Sequence, residues 1–447
     1  MFTTRNPGQK SPRNRRTIRT TAGLLSILAA TTLMATACGG GAAAPSSNTP
    51  PADSTDPVTI SFMEAMSSGA IKDSLAKITK DFTAKYPNIT VDLQEQPDYS
   101  TLQTKINAQT AAGTPPTIAQ VYGNWADEFA ASKVIVPLDD YVSQSKDYPN
   151  FFDGIKKDLK LSDGKTWMWP FNKSVVVQYY NTTMVPQAPK TWNDFATAAK
   201  TASTGKVIGL SIDPGSTNGP AGGTALFEIL AQANGDTVFA DDGTPQFTKD
   251  GVVKALDFLK KMKADGSLAL GSNYPGQVAL GGQTGAFDIS SVASFQFNKK
   301  AVGDKFAMGV AALPSGPSGT ANQLAGTNIA LFDKSTPAQK AAAWKFMQFL
   351  TSPEEMAYWS STTGYLPVSR TAMDQQAFKD YVAKNAWVAD ATKQLDSATS
   401  LPPKSWVTKA SGALSQAILD AINNGTDSKT ALQKAQDAAA KAQKDAS

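Results

Sequence analysis

The chain of 447 residues has no histidine and a single cysteine, Cys38. Without imidazole there is no Ser–His–Asp triad, no histidine general base and no histidine ligand for a metal. One thiol makes neither an internal disulfide nor a cysteine-rich metal site. The G-x-S-x-G elbow and the G-x-x-x-x-G-K-[ST] phosphate loop are also missing, which leaves serine esterase and nucleotide hydrolase readings without a motif. Asp241-Asp-Gly-Thr lacks the other acidic ligands of a calcium loop and reads as a hairpin turn. No metal and no cofactor are expected.

Positive charge on the body of the chain is scarce as well. Six of the 42 lysines and arginines precede Cys38, where no acidic residue stands, so 36 basic residues face 38 acidic ones beyond it. A nucleic-acid binder carries its positive charge on the folded part, so that class loses its support. Residues 1–19 are basic, and Ala22–Ala37 are apolar or small without a charge, matching the n-region and h-region of an export signal and too short for a comfortable transmembrane helix. Ala35-Thr-Ala-Cys38 resembles the lipobox of bacterial lipoproteins, with Ala where that box usually has Leu; an ordinary signal peptide with an incidental cysteine is the alternative. Arg15-Arg16, with Ile18 two residues on, leaves the twin-arginine route open beside the general one. The expected layout is a signal peptide over 1–37, then a lipidated Cys38 and a flexible Gly/Ala/Pro/Ser/Thr tether over 38–56.

The rest reads as α/β. Val58–Phe62 alternates as a strand, Ile71, Leu75, Ile78 and Phe82 recur at helical spacing, and Ile89–Leu93 is a second strand, together a parallel βαβ unit. A helix over Tyr99–Ala112 leads through Pro115-Pro116 to a short buried strand, Thr117–Tyr122, which stops at Gly123. Asn124 is expected to cap a helix over Ala126–Ser132. In open α/β sheets ligands bind beyond the carboxyl ends of strands, and this end presents Tyr122, Gly123, Asn124 and Trp125. Further strands are expected at Ser174–Tyr180, Ala286–Ile289 running into Ser290-Ser291, and Phe306–Leu313, with turns at Asp153-Gly154 and Asp163-Gly164. Thr191 and Asp194 form a capping box, Ala338–Thr351 is a helix, and two last helices, Ala413–Asn423 and Lys429–Lys444, flank an Asn-Asn-Gly stop.

Tyr99, Ala112-Gly-Thr-Pro-Pro-Thr-Ile, Gln120-Val-Tyr, Ala131-Ser-Lys-Val-Ile-Val-Pro-Leu-Asp, Trp169-Pro-Phe-Asn, Tyr179-Tyr-Asn, Pro189-Lys-Thr-Trp-Asn-Asp-Phe and Thr363-Gly-Tyr-Leu-Pro-Val follow one another in order. The series resembles the solute-binding lipoproteins of carbohydrate ABC importers, in the branch that includes maltose-binding and glycerol-phosphate-binding proteins. The resemblance implies a two-lobed, periplasmic-binding-protein-like fold of type II with about three hinge crossings, near Ser174–Tyr180, Pro314–Gly319 and Thr363–Pro367. One lobe would hold 57–169 and 314–363, the other 170–313 and 364–447. By the resemblance Tyr99 and Tyr365 touch the ligand. Crest and hinge positions add Asn124, Trp125, Ser174, Asp288, Ser291, Gly326, Thr327 and Trp406, whereas Trp192, Trp344 and Trp359 lie on apolar helical faces and belong to cores.

The implied function is capture of a carbohydrate outside the cell and its delivery to permease and ATPase subunits, by a monomer anchored to the outer face of the cell membrane through its lipid. Rings suit sugars because a pyranose has an apolar face, while its hydroxyls need amide and hydroxyl partners. Glycerol-phosphate binders of this branch carry a Glu after the Gln-Val-Tyr and an Arg before the penultimate helix. Here Gly123 and the Arg-free stretch Ser405–Gly412 stand there, with only Lys409 to meet a phosphate. A neutral sugar is therefore expected, with a glycerol phosphate or glycerophosphodiester as the alternative. A glycoside hydrolase using two carboxylates is less favoured, since no acid pair stands at the crests among rings.

Overall fold

Alternation of apolar and polar residues sets the strands, and the structure, a computed structural model, describes residues 55–215 and 224–446. The expected signal peptide, Cys38 and all but the last two residues of the tether lie outside the described residues. The strands, in chain order, are β1 (Val58–Glu64), β2 (Ile89–Glu95), β3 (Ile118–Val121), β4 (Trp169–Pro170), β5 (Val176–Asn181), β6 (Ile208–Ile212), β7 (Leu268–Leu270), β8 (Gly285–Ser291), β9 (Met308–Ala311) and β10 (Asn328–Leu331). They form two five-stranded sheets, ordered β2-β1-β3-β10-β4 and β7-β6-β8-β5-β9. In the first, β1 is parallel to β2 and β3, and β10 returns antiparallel between β3 and β4. In the second, β6 is parallel to β7 and β8, and β5 is antiparallel to β8 and β9. The fold is α/β and two-lobed.

Local chemistry explains the elements. All four residues of β3 are buried, as a central strand requires. Helix Gly69–Lys85 buries Leu75, Ile78 and Phe82 and ends at Tyr86 before Pro87. Thr191 and Asp194 exchange both bonds of a capping box at helix Trp192–Ala202, and Thr336 with Gln339 does the same at helix Pro337–Leu350. Trp192, Trp344 and Trp359 are buried. Three local expectations are corrected. Asn124 caps nothing: helix Gly123–Ala131 starts one residue before it, with Tyr122 at the cap position, because the extended backbone of β3 turns directly into the helix. Asp153-Gly154 is no turn but opens helix Asp153–Asp158, where a carboxylate suits the helix N-terminus. The penultimate helix begins at Val407 and runs to Asn424.

The passages between sheets pair with one another. The chain leaves β4 at Pro170 and enters β5 at Val176; on the way Ser174 exchanges backbone bonds with Ala325 (3.0 and 2.9 Å) and the Lys173 carbonyl accepts from Leu366 N (2.9 Å). The return from β9 to β10 runs through the same ribbon, where Leu324 N donates to Thr399 O (3.0 Å) and Thr399 N to Asn322 O (3.1 Å). Leu366, Val368, Phe378, Val388 and Leu395 pack in the core beside the first sheet, and Val407, Leu414, Ile418 and Leu432 in that of the second. No helix among the described residues is long and apolar enough to cross a membrane.

This ribbon leaves no room at Gly326. Its φ is +95°, and a Cβ there would lie 1.7 Å from the Asn172 carbonyl oxygen. Gly326→Ala is expected to destabilise the protein by roughly 3 kcal/mol or more, read as a lowered urea midpoint at unchanged m-value.

Candidate functional site

A cavity of about 430 Å³ opens where the crest of the first sheet faces that of the second. From the first come Tyr99, Tyr122, Gly123, Asn124 and Trp125. Opposite stand Pro214 and Gly215, just past β6, Thr224, and the small polar face of helix Val407–Asn424: Thr408, Ser411, Gly412 and Ser415. The ribbon supplies Gln323, Leu324, Ala325 and Gly326, and Asn328 and Ser400 complete the floor.

The rings are ordered by one another. Tyr99 meets Tyr122 edge-on at 5.3 Å, and Tyr122 meets Trp125 at 5.0 Å and 87°, geometries that suit the ring quadrupoles. Asn172 Nδ2 donates to the Tyr99 hydroxyl at 3.1 Å. Burial pushes the Tyr99 and Tyr122 hydroxyls well above their ordinary pKa, so both stay neutral donors. The two sides touch across the cavity edge: Asn124 Nδ2 donates to Thr408 Oγ1 (2.6 Å), and Ser405 N to Asp127 Oδ2 (3.2 Å).

Among the described residues, charge on the wall is confined to Asp158, and it is neutralised in place. Its Oδ2 lies 2.5 Å from the ammonium of Lys173, which is 1% exposed, and accepts from Asn328 Nδ2 at 2.8 Å. Burial alone would raise this carboxyl, but Lys173 with the bonds from Ser400 and Asn328 holds it below the usual range. No lysine or arginine lines the cavity among the described residues. The arrangement offers stacking faces, hydroxyls and amides, the groups that hold an uncharged polar molecule.

Of the residues singled out by sequence, Tyr99, Asn124, Trp125 and Gly326 line this cavity. Tyr365 stands behind Tyr99, stacked on Trp359 at 5.7 Å and 11°, its hydroxyl bonded with Tyr99 and Asn172. Five others lie off the wall. Ser174 is buried, its backbone bridged to Ala325, and the Thr327 hydroxyl is spent on Asn172 Oδ1 (2.5 Å) and Gln120 Nε2 (2.8 Å). Asp288 is buried, taking Ser290 Oγ and Asn298 Nδ2, and Ser291 caps the 3-10 turn Val292–Ser294. Trp406 packs beside the second core with Nε1 donating to Gly243 O at 3.1 Å. Sequence reasoning passed over Asp158, Thr224, Gln323, Asn328 and the Thr408/Ser411/Ser415 face.

Fold and cleft together define a two-lobed ligand-binding protein. The chain belongs to the bacterial extracellular solute-binding protein family, whose profile matches residues 77–386. The sn-glycerol-3-phosphate-binding periplasmic protein UgpB of Escherichia coli K12 is 27% identical over 372 residues, 77% of this chain and 82% of that protein. Among solved structures, UgpB of Mycobacterium tuberculosis in complex with glycerophosphocholine superposes with a TM-score of 0.77 at 20% identity, covering 87% of this chain and 99% of that one. The sugar-binding protein MalE of Xanthomonas citri gives 0.74 at 21%, over 87% and 98%. These relatives are binding proteins rather than enzymes.

Directly behind the wall is Glu228, 1% exposed, its oxygens accepting from Thr224 Oγ1 (2.6 Å) and Gln323 Nε2 (2.5 Å). Burial pushes its pKa up to about 7 against those two bonds. A carboxyl raised in the folded state binds its proton more tightly there than in the unfolded chain, so stability falls as pH rises from the ordinary glutamate value of 4.5 to about 7. The fall is up to roughly 3 kcal/mol. Glu228→Gln is expected to flatten it, seen as melting temperatures that no longer drop across that window.

Proposed function

We propose that this protein is the substrate-binding component of an ABC importer, holding a neutral sugar or small oligosaccharide in the cleft between its lobes and passing it unchanged to a membrane permease. The observation that carries this reading is a wall of rings, hydroxyls and amides with no free cation among the described residues. The volume suits a ligand of one to three sugar rings. Glycerol phosphate or a glycerophosphodiester is the second reading, favoured by what the UgpB relatives bind. A phosphate, however, wants Arg or a cluster of equivalent donors. Arg370 is the one arginine after Cys38, and it pairs with Asp396 at 2.7 Å while covering the Phe152 ring. Lys409 is exposed and off the wall.

The same reading includes a signal peptide, lipidation at Cys38, a monomer tethered to the outer face of the membrane, and no catalysis. The packing of 365–398 leads us to draw the lobes as 57–170 with 326–398 and 176–313 with 401–446, joined by the ribbon between them.

A thermal-shift screen over mono-, di- and trisaccharides and glycerophosphodiesters, followed by calorimetry and product analysis, tests the proposal. A sugar is expected to raise the melting temperature and to be recovered intact. Trp125→Ala should weaken its binding about tenfold, the loss of ~1.4 kcal/mol. Micromolar affinity for a glycerophosphodiester with none for any sugar would defeat the first reading.

A further inference from the structure

The first sheet brings three rings to the cleft, and the wall contributed by the second sheet, as it stands, brings none. Two large aromatics of that half are exposed among the described residues, Phe297 at 39% and, more so, Tyr274. Tyr274 is 60% exposed, an unusual place for a ring with an apolar body. It sits four residues past the carboxyl end of β7, the end that faces the cleft, since β7 pairs in parallel with β6 (Ile212 beside Leu270) and the residues just past β6, Pro214 and Gly215, line the cavity.

The turn that carries Tyr274 is tied to that wall. Asp213 holds both: its Oδ1 accepts from Gly215 N and its Oδ2 from Asn273 N, each at 3.2 Å. Gly271 N donates to Ile212 O at 2.9 Å. Asn273 and Tyr274 are both left-handed, with φ of +58° and +60°. Asn tolerates that region, but a bulky ring does so only at a cost in free energy that surrounding structure or function must offset. Beyond the turn, Gly276 approaches Asp288 so closely that a Cβ would lie 2.4 Å from Oδ1, so the backbone at the helix start is held against β8. Partial burial of the Tyr274 hydroxyl and then the Asp98 carboxylate raise its pKa; Tyr274 in turn acts on Tyr122 and Tyr365. Asp98 caps helix Tyr99–Ala111 of the first lobe.

We infer that Tyr274 is a ligand-contacting residue, the ring with which the second lobe covers a sugar held against Tyr99, Tyr122 and Trp125. A strained turn clamped to the wall by Asp213 presents an apolar face that water gains nothing by wetting, and a pyranose between it and the first-lobe rings buries both. The inference rests on the proposed function above and adds a specificity residue to it.

Two experiments test it. In the first, the parent protein, Tyr274→Ala, Tyr274→Phe and Trp125→Ala are titrated calorimetrically with maltotriose and with sn-glycero-3-phosphocholine. Tyr274→Ala is expected to raise Kd at least tenfold and Tyr274→Phe less than threefold, with ligand-free melting temperatures unchanged because the side chain packs in no core. Parent-like binding by Tyr274→Ala beside a weakened Trp125→Ala overturns the inference and leaves the function standing. Parent-like binding by both variants overturns the site as well, and binding of glycerophosphocholine alone overturns the sugar class. The second experiment needs no ligand: Asp98→Cys with Tyr274→Cys, in a Cys38→Ser background, is treated with a short bismaleimide. An internal cross-link supports a ring facing the first lobe, and its absence overturns that placement whichever ligand binds.

Discussion

One buried ion pair sets the terms on which the two sheets meet. Lys173 lies on the first passage between them, and its ammonium reaches Asp158 at the end of helix Asp153–Asp158. Removing such charges from water costs several kcal/mol each, regained only when every remaining lone pair is met. Here Asn328 at the start of β10 supplies one of the missing donors and Ser400 another. Helix, hinge ribbon and first sheet are thereby held at one point. The backbone bonds of Ser174 to Ala325 and of Leu366 to Lys173 surround it. Because Asp158 also faces the cavity, the same pair keeps the floor electrically neutral.

The aromatic residues divide by what surrounds them. Trp169 gives its indole N–H to Met347 O at 2.9 Å and stacks edge-on with Trp344, and Phe62, Phe82 and Phe346 meet nearby. These are packing rings, held by one another and by the Trp169 hydrogen bond. Tyr99, Tyr122 and Trp125 form a similar chain of edge contacts but stop at the cavity, so the faces they would offer the proposed ligand are already set. Pre-set rings lose little rotamer freedom on binding, which is how a small site reaches useful affinity.

The first lobe's half of this is legible in the sequence, because it is local. Pro115-Pro116 and Gly123 bracket β3, its four residues are all apolar or amide, and the crest Tyr122–Trp125 follows directly. The opposing wall is not local. Pro214–Gly215, Gln323–Asn328 and Thr408–Ser415 come from three distant stretches that only the hinge passages bring together, and none carries a ring to announce it. Thr408, Ser411 and Ser415 recur at helical spacing along the edge of the buried stripe of Leu414, Ile418 and Ile422, so periodicity does not set them apart as a face of their own. Strand-end polar residues mislead for a different reason. Asp288 and Thr327 look like crest groups, yet their hydrogen-bonding capacity goes to Asn298, Asn172 and Gln120, partners 10, 155 and 207 residues away along the chain.

A wall without a free cation also bears on how fast the cleft fills. For the neutral ligand proposed above, no field would draw the solute in and none would be screened away by salt, so encounter would depend on diffusion and orientation alone. Capture of such a ligand would run at one rate in dilute and in saline surroundings, a property suited to a protein that works outside the cell, where it cannot choose its ionic strength.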